Sequence, residues 1–294
     1  MKPPPFDYHD PDSVDEVLAL LDEYGDDAKV LAGGQSLIPL LSFRLARPEV
    51  LIDINRIAAL SYVERDDHGP WLRIGALTRQ ATAERSAQVA TAAPLLGKAL
   101  QFVAHPQIRN RGTIGGSVAH ADPAAELPVT MVALDAVMVA RGPEGVRHIP
   151  AEELFISHLT TSLDDRELLT EIRIPAASAG TQVAFKEFTR RHGDYALGGA
   201  AVTITSDRSA VCTDARIVLL AAGDVPVRAR DSEAMLVGRS VDAALAATAA
   251  ALATERIEPI SNIHGDTAYR RSVIQSECAS AITEAAGQTG GPVR

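Results

Sequence analysis

Residues 31–37 read Leu31-Ala32-Gly33-Gly34-Gln35-Ser36-Leu37, and this stretch decides how the first part of the chain folds. The apolar residues 29–32 predict a strand that leads into the glycines, and residues 37–45 predict a helix that follows them. Residues 50–54 predict a second strand. The first fifty-odd residues therefore predict a βαβ-like unit with a glycine loop at its strand-to-helix turn.

A helix precedes this unit, because residues 12–24 carry clear start and stop signals. Ser13 and Glu16 have the spacing of a capping box, and Gly25 ends the apolar pattern. The first glycine loop, residues 31–37, is thus enclosed by regular elements on both sides.

A second glycine loop, residues 111–117, reads Arg111-Gly112-Thr113-Ile114-Gly115-Gly116-Ser117. Glycine lets a backbone amide approach a phosphate closely, because no Cβ stands between them. Neither loop ends in the Gly-Lys-Ser/Thr of a P-loop, and neither is GxGxxG. Either loop alone is consistent with a simple tight turn. If the two converge, their amides would hold a diphosphate from both sides, which favours a nucleotide cofactor and most of all a flavin.

The rest of the chain predicts an α+β organisation. Turn signals and periodicity predict hairpins at 61–78 and 136–149, helices at 91–103 and 123–134, a strand at 168–174, strands at 183–189, 198–205 and 213–221, and helices at 241–254 and 266–286. A linker at 175–181 separates the last three strands and two helices from what precedes them. Three strands followed by helices predict a separate α+β domain.

Composition excludes several function classes. The net charge of −10 argues against nucleic-acid binding, which needs a basic surface. The two cysteines, Cys212 and Cys278, cannot hold an iron–sulfur cluster that needs four thiolates, and we expect both to be free. No metal-ligand spacing, secretion signal or membrane-length apolar run occurs, so the expected location is the cytoplasm.

Several polar residues beside the loops are candidates for cofactor contacts. Glu126 could accept hydrogen bonds from ribose or ribityl hydroxyls, or it could be an ordinary acid in the first turn of a helix. His120 and Asp122 are equally consistent with capping or surface positions. Lys186 and Tyr195 bound a polar stretch that is either an exposed loop or the edge of a flavin site. Arg109 and Arg111 suggest surface ion pairs more than phosphate contacts.

The motifs at residues 32–37, 107–117, 122–126, 167–175, 191–196 and 268–271 resemble those of the flavin-binding medium subunits of the molybdenum hydroxylases. That family includes carbon monoxide dehydrogenase and is related to the flavin domain of xanthine dehydrogenase. Gln35 stands where the family often has His. The resemblance covers nearly the whole chain, and the second motif is its most specific part.

The resemblance implies an FAD-binding α/β module of the vanillyl-alcohol-oxidase type, also called PCMH-type, at residues 1–176. Its subdomains would be about 1–56 and 57–176, with a C-terminal α+β domain at 177–287 and a disordered tail at 288–294. It also implies the residues that contact non-covalent FAD: Leu31, Ala32, Gly33, Gly34, Gln35, Ser36, Leu37, Val103, Ala104, Thr113, Ile114, Gly115, Gly116, Ser117, His120, Asp122, Glu126, Leu169, Lys186 and Tyr195.

The implied function is electron transfer without catalytic acid–base residues on this chain. A small subunit with two [2Fe–2S] clusters and a large subunit with molybdopterin would complete a heterotrimer, and electrons would leave through FAD to an external acceptor. Two alternatives stay open at this point. One is a self-sufficient FAD oxidase, with His105 or His120 as the only candidate for a flavin tether. The other is a non-catalytic assembly subunit.

Overall fold

Three main sheets organise the chain in the computed structural model, which describes residues 2–67 and 69–287. The strands of these sheets and of a small hairpin are β1 (Asp7–His9), β2 (Ala28–Leu31), β3 (Val50–Asp53), β4 (Val63–Arg65), β5 (Trp71–Gly75), β6 (Val137–Gly142), β7 (Gly145–Pro150), β8 (Phe155–Ser157), β9 (Thr160–Thr161), β10 (Leu168–Pro175), β11 (Thr181–Phe188), β12 (Gly198–Ser206), β13 (Cys212–Leu220) and β14 (Val227–Arg228). The α-helices are α1 (Val14–Tyr24), α2 (Leu37–Ser42), α3 (Gln80–Glu84), α4 (Ala87–Ala92), α5 (Pro94–Leu100), α6 (Pro106–Arg109), α7 (Ile114–His120), α8 (Glu126–Ala133), α9 (Ala151–Leu154), α10 (Arg230–Leu236), α11 (Ala243–Thr254) and α12 (Thr267–Ala285).

The first sheet is parallel, in the order β1-β3-β2, and confirms the predicted βαβ-like unit. The Ser13 side chain accepts a hydrogen bond from the Glu16 amide at 3.2 Å and caps α1, which ends at Gly25. The first glycine loop connects β2 to α2. Because β2 and β3 are parallel, the residues that follow both strands lie at the same edge of the sheet.

The second sheet has the order β4-β5-β10-β6-β7 and is antiparallel, as the two predicted hairpins require. The predicted helix at 91–103 was wrong in its bounds. Ala93 has non-helical backbone angles (φ −138°, ψ 61°), so α4 ends before it and α5 begins at Pro94. Proline is favoured at the first position of a helix, which fixes this break.

The third sheet has the order β11-β12-β13-β14 and is antiparallel. It contains the three predicted strands and adds the two-residue edge strand β14. A helix that the sequence analysis missed, α10, follows β14 and precedes the two predicted helices α11 and α12.

Both faces of this third sheet are buried. Val183 and Phe185 on β11 pack into the core that also contains α5 and α8, whereas Ala184, between them, packs into the core made with α11 and α12. Alternation along a strand sends successive side chains to opposite faces. The sheet is therefore a central layer shared by two hydrophobic cores.

A single carboxylate on α12 pairs with two lysines, one on α5 and one on β11. The Nζ atoms of Lys98 on α5 and Lys186 on β11 lie 2.7 and 2.6 Å from the Oε1 and Oε2 atoms of Glu284 on α12. Lys98 Nζ also donates to the Val183 carbonyl oxygen at 2.9 Å. The expected disordered tail at 288–294 lies outside the described residues.

Candidate functional site

The two glycine loops meet in space. A Cβ built on Gly33 would overlap the Arg111 carbonyl oxygen and lie 2.8 Å from Gly112 Cα, so the two backbones touch where the loops cross. They form one side of a cleft of about 760 Å³, which is within the usual range for cofactor pockets. Convergence of the loops, which the sequence only suggested, is thus present in the structure.

The cleft collects most of the residues that the sequence analysis singled out. Its lining includes Ala32, Gly33, Gly34, Gln35, Ser36, Leu37, Val103, Ala104, Thr113, Gly115, Gly116, Ser117, His120, Asp122, Glu126, Leu169 and Tyr195. These residues come from all parts of the N-terminal half and from the segment between β11 and β12. Lys29, Gln80, His105, Gly193 and Asp194 also line it.

The first loop presents open backbone donors. Among the described residues, the amides of Gly33, Gly34, Gln35 and Ser36 donate to no other group of the chain. Gly34 has φ +74°, a conformation that glycine adopts at little cost, and Gln35 Nε2 donates to the Gly33 carbonyl at 3.0 Å. The Ser36 side chain does not cap α2 and is therefore available to a ligand.

The second loop is different, and the expectation that both loops present free amides is wrong for it. The amides of Ile114 and Gly115 donate to the carbonyls of Thr78 and Ala76 at 2.9 Å each. The Gly116 amide donates to Thr113 Oγ1 at 3.1 Å, and the Ser117 amide to the Thr113 carbonyl at 3.2 Å. These bonds exist because the loop pairs with the segment after β5 and then begins α7.

Glycine serves close packing in this second loop. A Cβ on Gly115 would lie 2.5 Å from Ala76 Cβ and 2.7 Å from Ala76 Cα, and one on Gly116 would lie 2.5 Å from Thr113 Oγ1 and 3.4 Å from Ala32 Cβ. The missing side chains let α7 lie against β5 on one side and face the first loop on the other.

An acidic group stands at the far side of the cleft. Glu126 begins α8 and is only 9% exposed; burial, with a smaller contribution from the Asp122 carboxylate, raises its pKa to about 7. Asp122 Oδ1 accepts from the Ala124 amide at 2.9 Å and so shapes the turn into α8. Burial lowers the pKa of His120, which favours a neutral ring here.

The turn at Val103 and Ala104 is held by a buried arginine. Arg109, which is 8% exposed, donates to the Val103 carbonyl at 2.9 Å and pairs with Glu84 through Nε and Nη2 at 2.9 and 3.1 Å. Arg109 does make an ion pair, but the suggestion that this pair lies at the surface was wrong, because the guanidinium is buried and also donates to the Val103 carbonyl. Ala104 has φ 41°, which this anchoring stabilises.

A segment between β11 and β12 also lines the cleft. Gly193 has φ +87°, and a Cβ there would lie 2.6 Å from the His105 ring. The His105 and His192 rings pack with centroids 5.9 Å apart. Tyr195 lines the cleft but remains 64% exposed.

Three candidates lie elsewhere. Ile114 is fully buried in the core, and Leu31 lines a smaller pocket of about 430 Å³ on the outer side of the first loop. Lys186 does not line the cleft, because it shares a strand face with Ala184 and pairs with Glu284. The neighbouring residue, Glu187, lies on the opposite face of the strand. Burial together with the nearby Glu126 raises the pKa of Glu187 to about 8.

Two polar side chains behind the loops escaped the sequence analysis. Asn55 Nδ2 donates to the Ala32 carbonyl at 2.7 Å, and Arg79 Nη1 donates to the Arg111 carbonyl at 2.6 Å. Asn55 follows β3 just as the first loop follows β2, so the parallel pairing of these strands was a signal for it. Nothing local in the sequence indicates that Arg79 reaches the second loop and Asn55.

Two protein-family models match this chain. The FAD binding domain in molybdopterin dehydrogenase matches residues 4–177, and the CO dehydrogenase flavoprotein C-terminal domain matches residues 183–285. The chain belongs to the FAD-binding medium subunits of the molybdenum hydroxylases. It is therefore an electron-transfer subunit of an oxidoreductase complex, and FAD is its cofactor, as the resemblance implied.

Relatives cover this medium subunit almost from end to end. It is 46% identical over 97% of its length to the 6-hydroxypseudooxynicotine dehydrogenase complex subunit alpha of Paenarthrobacter nicotinovorans, of which 96% is covered. It is 38% identical over 93% of its length to the carbon monoxide dehydrogenase medium chain of Hydrogenophaga pseudoflava, of which 94% is covered.

Solved structures share the same fold. A carbon monoxide dehydrogenase from Hydrogenophaga pseudoflava that lacks the Mo-pyranopterin moiety of its molybdenum cofactor matches with a TM-score of 0.95, at 38% identity over 99% of this chain and 100% of that one. Quinoline 2-oxidoreductase from Pseudomonas putida 86 matches with a TM-score of 0.93, at 39% identity over 98% and 99%.

The geometry of the cleft in this medium subunit suits the diphosphate of FAD. The open amides of the first loop supply donors, and any side chain on Gly33 would fill the place where the loops meet. In the described part of the chain no helix is long and apolar enough to cross a bilayer, and no group of three or more His, Cys, Asp or Glu could hold a metal ion.

Proposed function

We propose that this medium subunit holds FAD between its two glycine loops and passes electrons from [2Fe–2S] clusters of a partner subunit to an external acceptor. The observation that carries the proposal is the meeting of both loops at one cleft, with free amides on one of them. The complex would also contain a large subunit that binds molybdopterin, where the organic substrate is oxidised.

The residues proposed to contact FAD are those implied by the resemblance. Residues 32–36 would donate to the diphosphate, and residues 113–117 would close its other side with small surfaces and hydroxyl groups. Glu126 would face the hydroxyls of FAD, and Val103, Ala104, Leu169 and Tyr195 would surround its ring. Leu31, Ile114 and Lys186 belong to the implied set but lie outside the cleft lining, and we propose that they support the site without direct contact with FAD.

FAD supplies the ability to accept electrons singly and deliver them as a pair. The chain binds and orients the cofactor, and its aliphatic walls exclude water from it. Because the pKa of Glu126 is raised to about 7, both its protonated and its ionised forms are accessible near neutral pH, and the group can donate or accept a hydrogen bond. No catalytic base of this chain is required.

The proposal also covers the domain boundaries of this chain, its partner subunits and its location. We place the FAD-binding domain at residues 1–176, with subdomains 1–56 and 57–176, and the C-terminal domain at 177–287. The end of β10 at Pro175 and the start of β11 at Thr181 support the boundary. We also propose a heterotrimer with the cluster and molybdopterin subunits, located in the cytoplasm.

Native mass spectrometry of the complex purified through a tag on this chain tests the assembly. We expect one copy each of the three subunits, or a doubled trimer, with FAD released from this chain by acid. The separated chain should stay yellow and should not oxidise aldehydes, purines or N-heterocycles.

Two results would contradict the proposal. Turnover of an organic substrate by the separated chain would favour the self-sufficient oxidase. A chain that assembles with its partners but binds no added FAD would favour the assembly subunit.

A further inference from the structure

A polar network connects the two glycine loops through side chains that do not line the cleft. Asn55 Nδ2 donates to the Ala32 carbonyl of the first loop at 2.7 Å. Arg79 Nη2 donates to Asn55 Oδ1 at 2.7 Å, and Arg79 Nη1 donates to the Arg111 carbonyl of the second loop at 2.6 Å. One asparagine and one arginine thus span from loop to loop.

The network is anchored to the first sheet. Asp53 Oδ1 accepts from the Asn55 amide at 2.9 Å and from Asn55 Nδ2 at 2.6 Å, which fixes the orientation of the Asn55 side chain. The Tyr8 hydroxyl donates to Asp53 Oδ2 at 2.8 Å. The first loop is therefore held through the end of β3, which is itself bonded to β1.

Its other end is anchored to the second loop. Arg79 and Thr113 form an isolated antiparallel bridge, and the Gln80 amide donates to the Gly112 carbonyl at 2.9 Å. The guanidinium of Arg79 has a rigid fork, so it can hold two acceptors at a fixed separation. A lysine in its place could reach only one of them at a time.

We propose that Asn55 and Arg79 form a brace that sets the separation and orientation of the two glycine loops, and thereby the affinity for the FAD diphosphate. This inference rests on the proposed function. The C=O and N–H of a trans peptide point in opposite directions. Holding the Ala32 carbonyl on the brace therefore turns the Gly33 amide away from it, and that amide is free of other partners in the described chain.

Both residues are positioning residues, because they act through the loop backbone. Removing either one releases a carbonyl and lets the loops separate at the point where Gly33 touches the Arg111 carbonyl and Gly112. Since the two side chains act as one unit, loss of the second should add little to loss of the first.

A double-mutant cycle tests the brace in the full-length chain. Asn55→Ala, Arg79→Met and the double variant are titrated with FAD by quenching of flavin fluorescence, and the melting temperature of each apoprotein is recorded. We expect each single variant to weaken FAD binding by about 20-fold and the double variant to be no more than about threefold weaker than either. Arg79→Lys should fall between wild type and Arg79→Met.

Arg85→Met is the matched control. Arg85 lies at the other end of α3; its Nε donates to the Ala81 carbonyl at 3.0 Å and its Nη2 to Asn110 Oδ1 at 3.5 Å, without contacting either glycine loop. We expect it to bind FAD as wild type does. If a brace variant melts too low to titrate, Arg79→Lys, which retains the charge, supplies the measurement.

The outcomes separate the two claims. Wild-type chain that does not bind FAD contradicts the proposed function. If wild type binds FAD, the brace is contradicted by single variants with unchanged affinity, or by single effects that multiply fully in the double variant. Equal losses in Arg85→Met would also contradict it, because they would indicate general destabilisation.

Discussion

The amides of Gly33 to Ser36 donate to no group within the described chain, whereas those of Ile114 to Ser117 are all engaged. Both loops are glycine-rich and both line the cleft, yet glycine serves different ends in them. In the first loop it exposes donors. In the second it removes side chains that would collide with Ala76 and Thr113. The same residue type thus indicates ligand binding in one place and packing in the other.

This difference has an energetic consequence. Open amides contribute little to the apoprotein, because water satisfies them until a ligand arrives. Engaged amides and close backbone contacts contribute to the folded state itself. We therefore expect substitutions in the first loop to act mainly on FAD affinity and those in the second to act mainly on stability.

Gly33→Val should have the largest effect, because Gly33 is the contact between the loops. Its side chain would overlap the backbone at Arg111 and Gly112. We expect FAD affinity to fall by at least about 100-fold, or roughly 2.8 kcal/mol. Equilibrium titration with FAD measures the loss, and circular dichroism checks that the apoprotein is folded.

Gly97→Ala is the control for that experiment. A Cβ on Gly97 would meet only Val89 Cγ1, at 3.9 Å, and alanine favours the interior of α5. This variant should bind FAD normally. Normal FAD content in Gly33→Val would show that the loops need not touch for FAD to bind. That result would contradict the role assigned here to the first loop.

Gly115→Ala should separate stability from binding. Its Cβ would press on the Ala76 backbone, and overpacking of this kind costs about 1–3 kcal/mol. We expect the melting temperature of the apoprotein to fall by several degrees. Gly34→Ala is the counterpart in the first loop, where a Cβ would meet only the side chains of Ile38 and Leu31, at 3.1 and 3.3 Å, and the φ of +74° adds backbone strain.

The pair is measured by melting and by FAD titration. Gly34→Ala should lose proportionally more FAD affinity than stability, and Gly115→Ala the reverse. Identical ratios of the two effects in both variants would contradict the division of roles between the loops.

Glu126→Gln should reveal how much stability the folded chain loses when the buried Glu126 carboxyl ionises. The pKa of Glu126 in the folded chain is raised to about 7 from an ordinary value of 4.5. Its favourable contribution is therefore complete below pH 4.5 and is lost as the pH rises through about 7. Glutamine does not ionise, so the melting temperature of Glu126→Gln should exceed that of wild type increasingly between pH 5 and 8, by on the order of 4 °C at the upper end.

Melting curves of the apoproteins at several pH values provide the measurement. Glu49→Gln, which replaces an exposed acid, is measured alongside as the control. A constant difference from wild type for Glu126→Gln would mean that Glu126 titrates normally.

Lys186→Met should have the smallest effect. Lys186 pairs with Glu284 at 2.6 Å, and both side chains are about a third exposed, at 33% and 39%. Such pairs contribute under about 1 kcal/mol. We expect FAD affinity to change by less than about twofold, as in the matched variant Lys98→Met. A loss above tenfold confined to Lys186→Met would support a direct contact with FAD.

Local sequence signals predicted much of the fold. The capping box at Ser13, the glycines after β2 and the alternation of the long C-terminal strands all correspond to observed elements. The alternation of side chains along β11 could also have predicted which face Lys186 occupies. It puts Lys186 on the face of Ala184 and Glu187 on the face of Phe185. The break before Pro94 was readable as well, although the helix there was predicted to begin earlier.

The state of the second loop could not be predicted locally. The amides of Ile114 and Gly115 are engaged because residues 76–78, far from them in sequence, lie beside them after folding, whereas those of Gly116 and Ser117 bond to Thr113 at the start of α7. The same is true of Arg79, whose two acceptors belong to segments that are more than twenty residues away on either side. Hydrogen-bond partners of this kind depend on tertiary contacts that no periodicity encodes.

The two-faced third sheet has a practical consequence for dividing the protein. Two family models meet between residues 177 and 183, which invites separate production of the two halves. Yet Val183 and Phe185 cover the apolar surface of the N-terminal half. A fragment ending at residue 176 would display that surface to solvent and aggregate, whereas the two fragments produced together should reassociate into one particle.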